Sequence, residues 1–195
     1  MTQTYTPSTG LLVVDVQNDF ALPDGSLYVR GGEEIVDPID DEIAAAEGAG
    51  ATVVYTQDWH PESTPHFAKD GGLWPVHCVM GTHGADFVEG LKVVGPVVQK
   101  GSGPEDGYSG FSVLHLHTKA VRETELASIL DENGVMDIVV VGLAGDWCVR
   151  TTAVDGIRLG YRVTVPLALT RFVELHPGDT ERAIDEMRTA GVNLV

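Results

Sequence analysis

The sequence predicts an α/β protein, a parallel β-sheet flanked by helices on both faces. Three observations predict it. Short, continuous runs of Val, Leu and Ile recur along the 195 residues, the pattern of strands buried on both faces. Helical periodicities fill most of the gaps between those runs. Four runs end on, or just before, a polar or thiol-bearing residue, at the end of the strand where an open parallel sheet presents its ligand site. The length suits one domain, 1–195, with enough chain to bury a core without disulfides.

The elements follow in order. A first strand is expected in GLLVVDVQ, 10–17, and a helix over 33–47, where Ile35, Ile39 and Ile43 recur every four residues before Gly48 and Gly50. Strands at 51–58 (ATVVYTQD) and 95–100 (GPVVQK) bracket an irregular stretch, 59–90. A second irregular stretch, 101–113, reads as a lid carrying Tyr108 or Phe111. Loops of such length inside a compact domain usually bind or catalyse. Leu126, Ile129 and Leu130 predict a helix over 124–133, stopped by Gly134. DIVVVGLA, 137–144, is a strand, and Val149, Ala153 and Ile157 mark the helix after it. YRVTVPLAL, 161–169, is another strand. Asp179 is placed to cap a last helix carrying Ala183, Ile184 and Met187, which Gly191 ends before VNLV, 192–195.

Composition excludes several partners. Twenty-nine acidic against twelve basic residues give a net charge of -17, which repels nucleic acid and anionic lipid. A small neutral or cationic molecule is the better partner. The charge opposes self-association without forbidding a homo-oligomer. No apolar segment approaches membrane-spanning length, and the first fifteen residues lack the features of a signal peptide. A cytoplasmic protein is expected, with Cys78 and Cys148 as reduced thiols.

The polar strand ends carry the chemistry. Asp15 closes LLVVD, Asp58 closes VVYTQD, Lys100 closes VVQK, and Cys148 follows VVVGLAGDW; in a parallel sheet one rim gathers all four. Asp58 and His60 stand two apart, His66 six further on, and His77 follows in LWPVHC. A carboxylate and three imidazoles suit one divalent metal, zinc first and iron or manganese next, with room left for substrate. Cys78 reads as a packing residue, and His83, His115, His117 and His176 as ordinary surface histidines. Cys148 is expected at a helix start, where the dipole favours a thiolate and free N–H groups can receive an oxyanion. Asp15 is the base such a nucleophile needs, with Lys100 as electrostatic partner of both. Singly, each has a plain structural reading; the shared rim points to nucleophilic catalysis. The glycine-rich KGSGPEDGYSGF is no phosphate loop: it lacks the P-loop lysine spacing, and Glu105 and Asp106 oppose a phosphate.

Taken together, VVDVQNDF, DWHPESTPHF, WPVHC, Lys100 with YSGF, and VVVGLAGDWCVRTTAVD resemble the nicotinamidases and pyrazinamidases of the isochorismatase-like cysteine hydrolase superfamily, in order over nearly the whole chain. The resemblance implies a Rossmann-like three-layer fold and hydrolysis of nicotinamide to nicotinate and ammonia through a cysteine thioester. It implies a triad of Cys148, Asp15 and Lys100, and a metal held by Asp58, His60 and His77, with His66 at a fourth position used by part of the family. It also implies a cis Leu143–Ala144 peptide, an oxyanion hole from the N–H groups of Ala144 and Cys148, and a ring sandwich from Phe20, Trp74 and Tyr108. Gly145 stands where Thr is frequent and Trp147 where Tyr or His is common, so Trp147 joins the substrate-binding candidates. LALTRF, 167–172, lacks an acidic residue that many relatives carry. Three alternatives remain at this point: a sibling amidase for ureido or N-carbamoyl compounds, a hydrolase whose nucleophile is a metal-bound water, and a silent binding protein.

Overall fold

The computed structural model describes residues 3–195. In chain order its strands are β1 (Thr9–Val14), β2 (Thr52–Asp58), β3 (Val97–Lys100), β4 (Glu105–Asp106), β5 (Ser112–His115), β6 (Val121–Glu123), β7 (Asp137–Gly142), β8 (Arg162–Val165) and β9 (Asn193–Leu194). The helices are α1 (Asn18–Ala21), α2 (Val36–Gly48), α3 (Leu126–Glu132), α4 (Arg150–Arg158) and α5 (Asp179–Ala190). Six strands form one parallel sheet in the order β3-β2-β1-β7-β8-β9.

Strand alternation divides the core into two halves. Leu11 and Val13 of β1, with Val53 and Tyr55 of β2, face Ile39, Ile43 and Ala46 of α2. Leu12, Val14 and Val54 face the opposite way, onto Leu126 and Leu130 of α3, Ala153 of α4 and Met187 of α5. Because both faces are covered, β1 is apolar at nearly every position, and this is why it read as a continuous run. Each such side chain contributes about 1.5–3 kcal/mol by leaving water. The expected layered α/β fold is therefore present.

Some local expectations need correction. Asp179 does not cap α5: Gly178 occupies the cap, and Asp179, already helical, accepts the His176 N–H at 2.7 Å. The stretch 101–113 is not irregular throughout, since β4, β5 and β6 make a small antiparallel sheet. Phe111 is no lid residue; it is buried in the core and stacks on Tyr161, 5.9 Å away. Among the described residues no helix is long and apolar enough to cross a membrane.

Candidate active site

The sheet order assembles the site. β3, β2, β1 and β7 are neighbours, so their carboxyl ends bring Lys100, Asp58, Asp15 and the turn before Cys148 side by side. Asp58 and Lys100 are paired in register as the last residues of β2 and β3. Asp15 follows β1 with φ 49°, a left-handed conformation that Asp tolerates better than most side chains and that breaks the strand here. Cys148 lies in a π-helical turn, Gly145–Val149, that continues directly into α4.

Lys100 is the hub. Its Nζ lies 2.7 Å from Asp15 Oδ2 and 3.7 Å from Cys148 Sγ, and it also contacts Asp58 Oδ1. The ammonium is 0 % exposed, and burial favours its discharge; the two carboxylates outweigh that and hold its pKa well above the usual lysine value. Burial opposes ionisation of Asp58 as well, yet Lys100, His60 and His77 hold its carboxyl well below the ordinary range. Asp15 goes the other way: burial raises its pKa, against the pull of Lys100 and of the Thr56 hydroxyl, which donates to Oδ1 at 2.6 Å. Its Oδ2 is held by the Lys100 ammonium.

The thiol is pulled both ways. Burial pushes Cys148 well above the usual thiol value; Lys100 pulls it down, but Asp15 and Asp58 add to the rise. Burial and the two carboxylates thus favour the thiol, while the ammonium and the helix start favour the thiolate. Attack by a thiol requires a base, and a carboxylate oxygen of Asp15 lies within 4.8 Å of the sulfur.

Beside Lys100 stands the imidazole cluster. His60, His66 and His77 are all buried, and one nitrogen of each lies within 4.8 Å of the others. Each Nδ1 is turned to an acceptor: His60 to Gly101 O at 2.9 Å, His77 to Pro75 O at 2.8 Å, and His66 to Asp106 Oδ1 at 2.5 Å. The Nε2 atoms are left, and those of His60 and His77 face Asp58 Oδ2 at 3.5 and 3.8 Å. His60 Nε2, though buried, has no hydrogen-bond partner among the described residues. Three ring nitrogens converging, with their outer Nδ1 atoms already bonded and an Asp58 oxygen beside two of them, fit a divalent cation.

A cavity opens over these groups, about 360 Å³ counting the solvent in its mouth. Phe20, Trp74, Tyr108 and Trp147 all line it, as the sequence predicts, and so does Ala144. Trp74 donates Nε1–H to the Tyr108 hydroxyl at 2.9 Å and meets Trp147 edge to face at 4.8 Å between ring centroids. The Leu143–Ala144 peptide is cis, and among the described residues the Ala144 N–H has no hydrogen-bond partner.

The isochorismatase domain model matches residues 9–195. The chain belongs to the isochorismatase family. Within that family, the nicotinamidase/pyrazinamidase of Mycobacterium tuberculosis is 40% identical over 190 residues, covering 95% of this chain and 97% of that protein. The crystal structure of Pyrococcus horikoshii pyrazinamidase in complex with zinc superposes with a TM-score of 0.85 at 37% identity, covering 97% of this chain and 99% of that one. PnC1 from L. infantum in complex with nicotinate gives 0.89 at 34% identity, covering 100% and 96%.

This isochorismatase-family site also holds residues the sequence did not announce. Leu27, Val29 and Val173 complete the cavity wall, but aliphatic loop residues carry no distinguishing pattern. Gln17 grips the Asp58 peptide from both sides, donating to its carbonyl and accepting from its N–H, each at 2.8 Å. Asp146 accepts the N–H groups of Val173 and Glu174 at 3.0 and 2.8 Å and so fastens the wall to the Cys148 turn. Gly145 lies against Phe172: a Cβ there would stand 2.6 Å from the ring.

Proposed function

We propose that this chain, acting as one hydrolase domain, is a nicotinamidase that hydrolyses nicotinamide, and pyrazinamide with it, to the carboxylate and ammonia. The observation that carries the reading is the Lys100 hub: Asp15, Asp58 and Cys148 converge on one buried ammonium beneath an aromatic cavity and beside three imidazoles. The full-length likeness to nicotinamidases and pyrazinamidases supports the substrate class.

Phe20, Trp74, Tyr108 and Trp147 enclose the pyridine ring and exclude water around it. Asp15 Oδ2 takes the Cys148 thiol proton as sulfur attacks the carboxamide carbon. The carbonyl oxygen becomes an oxyanion, received by the N–H groups of Ala144 and Cys148. Protonated Asp15 hands its proton to the amide nitrogen, the C–N bond breaks, and ammonia leaves a nicotinoyl thioester on Cys148. Asp15, again ionised, takes a proton from water as it attacks; the collapsing intermediate expels sulfur, which receives that proton from Asp15, and the nicotinic acid formed loses its remaining proton to the departing ammonia or to solvent as nicotinate. Lys100 keeps its charge throughout and stabilises each anionic partner in turn.

Asp58, His60, His77 and His66 would hold the divalent metal, zinc by preference, with iron or manganese suited to the same donors. When bound, the ion supplies a fixed positive charge that orients a pyridine nitrogen or water. We place the enzyme in the cytoplasm, serving NAD salvage. Ammonia release from a panel of amides tests the substrate class. Turnover of nicotinamide and pyrazinamide, and none of ureido or N-carbamoyl amides, is expected; the reverse order would move the chain to a sibling amidase activity on the same fold.

A further inference from the structure

The mechanism leaves unused most of the segment that follows Lys100. Residues 101–108 leave β3, run along the loop that carries the imidazoles, and include β4. Four contacts join segment and loop. His60 Nδ1 meets Gly101 O at 2.9 Å, Thr64 Oγ1 donates to Gly103 O at 3.3 Å, His66 Nδ1 meets Asp106 Oδ1 at 2.5 Å, and Trp74 Nε1 donates to Tyr108 OH at 2.9 Å. Gly101 can lie against His60 only because it lacks a side chain; a Cβ would enter the ring, and its φ is 74°. One short stretch thus supplies outer partners to two of the three imidazoles and, two residues past Asp106, a wall of the cavity.

We propose that Asp106 is a positioning residue that makes His66 a metal ligand, so that metal binding and ordering of the 101–108 segment are one coupled event. The inference rests on the metal reading above. A carboxylate at Nδ1 requires that nitrogen to carry the proton, which leaves the Nε2 lone pair for a cation and raises its basicity. The His66 side chain is buried, 4 % exposed, and that of Asp106 is 21 % exposed. Asp106 is anchored from behind by its strand pairing with Leu114. Whatever affinity the cation gains from an oriented His66, the segment gains in order when the cation is bound, since coupling between two binding events is reciprocal.

Zinc alone, titrated into chelator-stripped protein, provides the probe. Its affinity is read by competition with a chromophoric chelator, and amide hydrogen exchange is followed over 101–108 and around Asp58 and His77. In wild type, zinc is expected to slow exchange in both regions. Asp106→Ala should bind zinc about 10- to 100-fold more weakly and lose protection over 101–108 while keeping it around Asp58 and His77. Asp106→Asn, which retains an acceptor oxygen, should restore a large part of both effects, a rescue that a merely structural role would not produce; if the alanine variant fails to fold, the asparagine variant still shows a smaller drop than removal of a ligand in His77→Ala. Equal affinity and equal protection in wild type and Asp106→Ala would overturn the inference alone. Failure of wild type to take up zinc would overturn the metal reading and the inference with it.

Discussion

Asp15 and Cys148 are both pushed toward their protonated forms by burial, and one proton must move between them before sulfur can attack. In the proposed mechanism the ionised form of Asp15 is the base, so activity should rise as pH climbs through its pKa. Because that pKa is raised, the acid limb of kcat/KM should lie above the value of about 3.9 typical of a solvated Asp. Thr56 donates to Asp15 at 2.6 Å and favours the ionised form. Thr56→Val should therefore shift the acid limb to still higher pH, and a profile that stays in place would show that another group sets it. At this scale much was legible: all four rim residues and all three imidazoles were found from polar positions at strand ends and their spacing. The protonation state of Cys148 was not legible, since it depends on how deeply the sulfur is buried and on charges brought from strands up to 133 residues away, Asp15 among them.

The turn from Gly145 to Val149 depends on the segment after β8. Gly145 N–H donates to Arg171 O at 2.7 Å, Thr170 Oγ1 donates to Gly142 O at 2.7 Å, and Asp146 takes two N–H groups of residues 173 and 174. Phe172 fills the space a side chain at 145 would occupy. Gly145→Ala should cost about 1–3 kcal/mol of stability by overpacking and raise KM as the Val173 wall shifts. A variant with unchanged melting and unchanged KM would show that Phe172 moves aside freely. Elements buried on both faces announced themselves as apolar runs. The β4-β5-β6 sheet did not: β6 is exposed at every residue and β4 is two acidic residues, so no hydrophobic period marks them. For the same reason the pairing of His66 with Asp106, forty positions apart, carried no spacing signal.

Across the whole molecule, a net charge of -17 surrounds a site in which two carboxylates share one ammonium. Self-repulsion at that charge weakens the compact state, and salt screens it as the Debye length falls from about 30 Å at 0.01 M to about 8 Å at 0.15 M. The unfolding temperature should rise over that range, read by thermal melts; a fall would mean that surface ion pairs such as Arg150–Glu186 outweigh the repulsion. The sheet order places one thiol among a base, an ammonium and an aromatic cavity, and the central claim is that this thiol attacks the amide. Ammonia release from nicotinamide by Cys148→Ala, in zinc-loaded protein of verified fold, tests it most directly. A loss of about 10⁴-fold or more in kcat is predicted; turnover near that of wild type would contradict the account and make water the nucleophile.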